Sequence, residues 1–214
     1  MHIIGEHYHV YNRGAHRAPI FNERGDCDRF VALLYAANNT RTLHTNEIKP
    51  YEMFNFKREC LVDIFSYCLM PNHFHIGLRE KTEKGIEKFM RKLGTAYVKY
   101  YNVKYKHPGT LFQGKYKSKH VDSDEYLRYV IQYIHLNPFG IVEPNLTKEA
   151  RINYFSRAVE ISKKYQYSSF KDYLGEKRIE NAIITNDEYF IYGRTVEYDR
   201  SHFADEFYEM VDRI

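Results

Sequence analysis

The hydrophobic pattern of the first 140 residues alternates between strand-like and helix-like segments. Aromatic and apolar runs predict strands at 7–11, 61–69 and 73–78, and an alternation of apolar and polar residues predicts another at 111–121. Apolar residues recur at the helical period along three others, which predicts helices at 28–35, 84–105 and 124–137. The turn residues Met70-Pro71-Asn72 join the second and third strands, so these two strands should form a hairpin.

The resulting order is β-α-β-β-α-β followed by one more helix. The first six elements are those of the ferredoxin-like or RRM-like unit, so we expect an α+β fold with an antiparallel sheet and helices packed on one face. Asp26 should cap the first helix, and residues 40–59 should form a long loop. The fourth strand carries several lysines and should lie at an edge of the sheet.

Beyond residue 140 the pattern is weaker. Residues 148–164 are compatible with a helix, and residues 165–175 form a polar, aromatic segment without a clear period. The sequence therefore predicts one domain at 1–140 and a C-terminal extension of uncertain structure at 141–214.

Composition places the chain among globular proteins of the cytoplasm. Its 214 residues are 43% hydrophobic and 28% charged. No run of eighteen apolar residues predicts a membrane span, and the first residues lack the pattern of a signal peptide. The three cysteines are scattered and are expected to be reduced thiols.

The aromatic residues indicate the kind of binding partner more clearly than the net charge of +4 does. The chain has 21 Tyr, 14 Phe and no Trp, and many tyrosines are interleaved with Lys and Arg. Cations bind phosphates and aromatic rings stack on bases, so this mixture suits single-stranded nucleic acid. Most of the tyrosines need only fill half-buried positions.

Two pairs of residues carry candidate chemistry. His73 and His75 lie two apart on a strand and share a face, where paired imidazoles can hold one divalent metal; a pair of solvated histidines is an equal interpretation. Tyr133 and Asn137 lie one helical turn apart, so a hydroxyl and an amide oxygen can point together at the sheet. Tyr133 could instead simply pack on the sheet. The other tyrosines considered as nucleophiles are Tyr116, Tyr126 and Tyr129.

Four segments together resemble the HUH single-tyrosine transposases. Their His-hydrophobic-His motif is similar to Met70-Pro71-Asn72-His73-Phe74-His75, and the tyrosine motif of their REP-associated branch is similar to residues 133–138. Residues 109–118 resemble the segment before that motif, and residues 8–14 resemble the opening strand. The likeness spans about 7–140, and residues 167–175 resemble a tail of longer members.

This resemblance implies a metal-dependent transesterase that acts on single-stranded DNA, with hairpin-forming repeat ends as its partner. His73, His75 and Asn137 would hold Mg²⁺ or Mn²⁺, and Mn²⁺ tolerates imidazole better. Tyr133 would attack the scissile phosphate and form a 5′-phosphotyrosine link. His120 and His135 are expected to be structural or to contact DNA. Phosphate contacts are expected from Arg13, Lys115, Lys117 and Lys119.

Two other functions remain open at this point. One is a non-catalytic RRM-like module that binds single-stranded nucleic acid, and the other is a metal-dependent nuclease in which Tyr133 only packs. A covalent protein–DNA product would separate the transesterase from both. Relatives include homodimers that donate the tyrosine in trans and monomers that keep it in cis, and the sequence does not choose between them.

Overall fold

The computed structural model describes residues 2–41, 48–144 and 154–185. Four antiparallel strands form one sheet in the order β2-β3-β1-β4, the order of the ferredoxin-like unit. The strands are β1 His7–Arg13, β2 Val62–Met70, β3 His73–Glu80 and β4 Lys117–Val121. The predicted fold class and the predicted hairpin of β2 and β3 are therefore confirmed.

Six α-helices accompany the sheet in the part of the chain that the structure describes. They are α1 Arg24–Ala36, α2 Gly85–Tyr105, α3 Asp124–Leu136, α4 Phe139–Val142, α5 Phe155–Lys164 and α6 Phe170–Tyr173. Short 3₁₀ turns occupy Ala15–Arg17, Pro50–Asn55 and Ile179–Ala182. None of these helices is both long enough and apolar enough to cross a membrane.

Helices cover both faces of the sheet. Helices α1 and α2 pack on one face, where Phe30 and Phe89 join Val10 and Ile76 in the larger core. Helix α3 packs on the other face, where its apolar stripe meets Phe65, Cys68 and Met70 of β2. The two cores thus lie on opposite faces of the sheet, and the expectation that helices lie on one face holds for α1 and α2 only.

The start of α1 differs from the prediction. The N-cap is Glu23, and Asp26 is the third residue of the helix. The Asp26 carboxylate accepts hydrogen bonds from the backbone N–H of Asn22 at 2.9 Å and of Glu23 at 3.2 Å. It also pairs with Lys104 of α2 at 2.5 Å. Asp26 therefore stabilises the helix start from inside the first turn and ties α1 to α2.

The fourth strand is shorter than predicted because the chain first crosses the end of β1. Phe112 forms an isolated bridge with Gly14, and the Gln113 N–H donates to the Arg13 carbonyl at 2.9 Å. Regular pairing with β1 begins at Lys117. The strand lies at the edge of the sheet, as its lysines predicted.

The predicted 40–59 loop contains the 3₁₀ turn Pro50–Asn55, and its residues 42–47 lie outside the described residues. Helix α3 ends at Leu136, one residue before the predicted end, and the short helix α4 begins at Phe139. The helix predicted at 148–164 is present as Phe155–Lys164, and residues 148–153 are outside the described part.

Residues after α5 pack on the outer edge of β2. The Leu69 N–H donates to the Tyr167 carbonyl at 2.9 Å, and the Ser169 N–H donates to the Tyr67 carbonyl at 3.0 Å. Ion pairing of Arg178 with the buried Asp172 at 2.5 Å holds this segment together. Backbone groups of an edge strand that would otherwise be available for aggregation are thereby paired.

Candidate active site between helix α3 and the sheet

The sheet register places two sets of polar side chains on one face. Strands β1 and β3 are neighbours, with Tyr11 opposite His75 and Arg13 opposite His73. Side chains two apart on a strand share a face, so His9, Tyr11 and Arg13 lie on the same face as His73 and His75. This is the face that α3 covers.

Helix α3 brings the predicted tyrosine and asparagine onto the two predicted histidines. The ring centroids of His75 and Tyr133 are 5.3 Å apart, and those of His73 and His75 are 5.0 Å apart. Side-chain hydrogen bonding links Asn137 to His73 and to Tyr133. All four side chains belong to one chain, so a single copy assembles the cluster.

A third histidine, His9, is part of this cluster, and the sequence pattern did not predict its place there. A hydrogen bond of 2.9 Å joins His9 Nε2 to His75 Nδ1, and both side chains are fully buried. The rings stack with centroids 5.0 Å apart, and His9 also lies 5.7 Å from the Tyr133 ring. The signal that could have found it is the run His7, His9, Tyr11, Arg13, in which every second residue is polar or aromatic.

The Nε2 atoms of His73 and His75 are suited to bind a divalent metal. Asn72 Oδ1 can only accept, so His73 Nδ1 donates to it at 2.7 Å and the lone pair of His73 is on Nε2. His75 Nε2 is buried and has no hydrogen-bond partner. Among the described residues, no three His, Cys, Asp or Glu side chains are arranged to hold a metal ion. The two histidines would therefore hold a metal without a further His, Cys, Asp or Glu ligand, and Asn137, whose amide nitrogen donates to the Tyr133 carbonyl at 3.3 Å, is the side-chain amide beside them.

Burial keeps the histidines neutral, which is the form that binds metals. Burial lowers the pKa of His9 to about 3. Burial first, and then the Arg13 charge, lower the pKa of His73 to about 4, with the Asn137 hydrogen bond acting in the opposite direction. Burial lowers the pKa of His75 as well, and the neighbouring His73 adds to the effect. The lone pairs of these imidazoles are therefore available at neutral pH.

Burial has the reverse effect on the phenol of Tyr133. The side chain is 3% exposed, and burial raises its pKa, while Asn137 and Arg13 oppose that rise. The hydroxyl is therefore protonated at neutral pH in this structure. Reaction at this oxygen requires both a proton acceptor and movement that uncovers the ring.

The predicted phosphate contacts fall into two places. Lys117 lies 6.0 Å from the Tyr11 ring centroid and Lys119 lies 4.8 Å from the Tyr126 ring centroid, so both border the face of the cluster. Arg13 is closest to the chemistry because it is opposite His73. Lys115 lies on the segment that crosses the end of β1 and lines one groove together with Arg13 and Lys117.

The other candidate tyrosines and histidines lie in different places relative to the sheet. Tyr116 packs with the core on the opposite face, whereas Tyr126, Tyr129 and Tyr133 stack in sequence along α3 with centroids 6.0 and 6.3 Å apart. Tyr11, whose ring centroid is 5.9 Å from that of His75, is a neighbour that the sequence did not single out. The two other histidines that the sequence singled out lie outside the cluster: His120 pairs with Glu6, and His135 bonds Ser169.

The family model described as "Transposase IS200 like" matches residues 5–137, from the start of the sheet to the asparagine that ends α3. The chain belongs to the IS200-like transposase family. The resemblance seen in the four sequence motifs is thereby confirmed. No curated protein matches this IS200-like transposase.

A solved structure has the same fold. It is described as a REP-associated tyrosine transposase bound to a REP hairpin, and it superimposes with a TM-score of 0.52 at 12% sequence identity. The match covers 84% of this IS200-like transposase and 87% of the other chain. At this level of identity the likeness concerns the fold.

Proposed function

We propose that this IS200-like transposase is a metal-dependent transesterase that cleaves and rejoins single-stranded DNA through a 5′-phosphotyrosine intermediate on Tyr133. The observation that carries the proposal is the meeting of His73, His75, Tyr133 and Asn137 in one cluster of a single chain. The solved relative is bound to a REP hairpin, and we extend a hairpin-forming DNA partner to this protein.

The reaction exchanges one phosphodiester for another. The Tyr133 oxygen bonds to phosphorus and loses its proton, the bond from phosphorus to the 3′ oxygen breaks, and that oxygen gains a proton. A 3′-hydroxyl attacking the phosphotyrosine reverses the step and joins strands. A divalent cation held by His73, His75 and Asn137 would supply positive charge against the charge that develops on the phosphate oxygens.

The protein's own groups prepare the tyrosine and the phosphate. Arg13 has a guanidinium beside His73, and its geometry suits a phosphate oxygen pair. The same charge favours the phenolate of Tyr133, as does the hydrogen bond from Asn137. Both groups therefore act in the direction that activation of a buried tyrosine requires.

We infer that the tyrosine acts on its own chain. Tyr133 contacts the histidines of its own chain, so the geometry favours cleavage with the tyrosine in cis.

Denaturing gels test the proposal. The protein is mixed with a labelled library of single-stranded hairpins and Mn²⁺, and we expect a band that survives SDS and disappears in Tyr133→Phe or with EDTA. Tyr129→Phe is the matched control, because it removes a neighbouring hydroxyl from the same helix and should keep the band.

The other outcomes separate the alternatives. A band that survives Tyr133→Phe but disappears in Tyr11→Phe would assign the nucleophile to β1. Cleavage without a covalent product would identify a nuclease, and binding without either product would identify a non-catalytic module.

A further inference from the structure

A cavity of about 850 Å³ lies on the face of the sheet opposite Tyr133, beside α2 and the segment that precedes β4. Its volume falls in the range of about 300–1,000 Å³ that small-ligand sites occupy. Apolar side chains of the larger core, among them Phe74 and Leu93, form part of its wall. None of its lining residues belongs to the proposed active site.

The helix side of the cavity is basic. Lys84, Lys88 and Arg91 follow one another at helical spacing and line it together, and Lys115 lines it from the segment before β4. One carboxylate, Glu87, is the only acidic side chain among the lining residues. Four cations against one carboxylate favour an anionic ligand.

These cations differ from others on α2 that serve the fold. Lys92 donates to the backbone carbonyls of Thr40 at 3.2 Å and Arg41 at 2.8 Å, and Lys104 pairs with carboxylates at the start of α1. Lys88 donates to one carbonyl, that of Glu83 at 2.9 Å, which leaves further ammonium protons for a ligand.

Aromatic side chains complete the cavity. Phe112 and Tyr116 are both half-buried, and both line it opposite the basic ridge of α2. Aromatic rings next to cations are the combination that holds an unpaired nucleotide, because the ring stacks on the base and the cations meet the phosphate.

A second, smaller groove lies beside the cavity and reaches the catalytic face. The groove has a volume of about 130 Å³ and is lined by Tyr11 and Arg13 on the catalytic face. The cavity and the groove share Asn12, Gly114 and Lys115. The shared segment is fixed, since Asn12 Nδ2 donates to the Gly114 carbonyl at 3.0 Å.

We propose that the cavity binds an unpaired nucleotide of the DNA strand that continues from the scissile phosphate. The base packs against Phe112 and Tyr116, and Lys88, Arg91 and Lys115 meet the phosphate. The strand reaches the cavity through the groove, past the edge of β4. The inference rests on the proposed function for the class of ligand, and it needs neither metal nor chemistry at Tyr133.

Binding of labelled dT₂₀, measured by fluorescence anisotropy in Tyr133→Phe protein without metal, tests the proposal. Tyr116→Ala should weaken binding about 5- to 150-fold, the loss that one stacked base gives. The double variant Lys88→Gln/Arg91→Gln should lower the slope of log K against log salt by about 1.4, which is about 0.7 for each phosphate contact to a single strand. Lys99→Gln is the control, because it removes an exposed cation from the same helix outside the cavity.

Photocrosslinking locates the base directly. A dT₂₀ strand carrying 5-iododeoxyuridine should crosslink to Phe112 or Tyr116, and free thymidine monophosphate should not compete at equal concentration. Efficient competition by the free nucleotide would overturn the assignment to a DNA strand. Unchanged affinity and salt slope in variants that melt like the parent protein would overturn the site itself.

These outcomes are independent of the proposed reaction. Loss of dT₂₀ binding in the cavity variants would stand even if no covalent product ever formed. If a covalent product forms but the cavity variants bind dT₂₀ like the parent protein, the proposed transesterase stands and the proposed role of the cavity is wrong.

Discussion

Replacing His9 by phenylalanine tests whether this histidine sets the proton position on His75. A hydrogen bond of 2.9 Å joins His9 Nε2 to His75 Nδ1, so one of the two nitrogens must carry the shared proton. If His9 carries it, the neutral His75 has its other proton on Nε2 and has no lone pair for a metal. Metal binding therefore requires His75 to donate and His9 to accept.

The size of the effect follows from this geometry. A metal on Nε2 draws electron density from the His75 ring and makes its Nδ1–H a stronger donor, so the bond to His9 stabilises the metal-bound state more than the free state. Both rings are fully buried, so water does not replace the lost acceptor. Loss of such a partner typically lowers metal affinity about 10- to 100-fold. That range corresponds to about 1.4–2.7 kcal/mol.

The assay is Mn²⁺ binding by calorimetry at pH 7.5, with Tyr133→Phe as the parent so that no chemistry intervenes. We expect weaker binding for His9→Phe and partial recovery for His9→Gln, whose amide oxygen can still accept. His120→Gln is the control, because His120 is 43% exposed in its side chain and pairs with Glu6. Its affinity should equal that of the parent.

One result would refute this reasoning. If His9→Phe melts like the parent and binds Mn²⁺ with the same affinity, then His9 does not position His75. Nitrogen NMR of the imidazoles in the Zn²⁺-loaded protein gives a second check, since His75 should carry its proton on Nδ1.

Four further predictions concern stability. Burial lowers the pKa of His135 from 6.5 to about 3, so its contribution to folding stability is complete above pH 6.5 and decreases as the pH falls. By pH 5 the free energy of unfolding, measured by urea titration, should be lower by about 2 kcal/mol because of this group. A His135→Gln variant whose stability changes with pH as steeply as that of the parent protein would contradict this. Arg178→Met should cost about 3–5 kcal/mol, because it leaves the buried Asp172 carboxylate unpaired; adding Asp172→Asn should recover part of the loss, and no recovery would rule out the charge as the cause. Gly77→Ala should cost about 1–3 kcal/mol of folding stability, because its methyl group would overlap an aromatic ring of the neighbouring strand. Gly94→Ala, in open space on α2, should stabilise the protein by about 0.5–1 kcal/mol. A melting temperature equal to that of the parent protein would contradict the prediction for either variant.

Local periodicity was sufficient to predict the two halves of the candidate site separately. The two-residue spacing placed His73 and His75 on one face, and the four-residue spacing placed Tyr133 and Asn137 on one ridge. Their meeting depends on which face of the sheet α3 covers. The apolar residues of β1 and β3 all join the core under α1 and α2, and the pattern of these strands does not show which helix covers their histidine face.

The errors have the same origin in tertiary contacts. His9 gains its role from a neighbour across the β1–β3 ladder, which a strand pattern read alone does not show. Asp26 was predicted to be the N-cap of α1, but it lies inside the first turn and forms an ion pair with Lys104 of α2, which is distant in sequence. The segment at 111–116 has a strand-like alternation, yet the chain there crosses the end of β1 and instead borders the cavity.

The position of Tyr133 also depends on residues beyond the part of the chain that the family model matches. On α3, His135 bonds Ser169 at 2.8 Å and stacks on Phe170 with centroids 5.2 Å apart. Tyr173 donates to the Phe65 carbonyl of β2 at 2.6 Å, so the same segment contacts both the helix and the sheet. The C-terminal segment therefore ties helix α3 to the outer edge of the sheet. A buried nucleophile on such a helix can be uncovered by movement of its own side chain and close neighbours, whereas displacement of the whole helix would also break these C-terminal contacts.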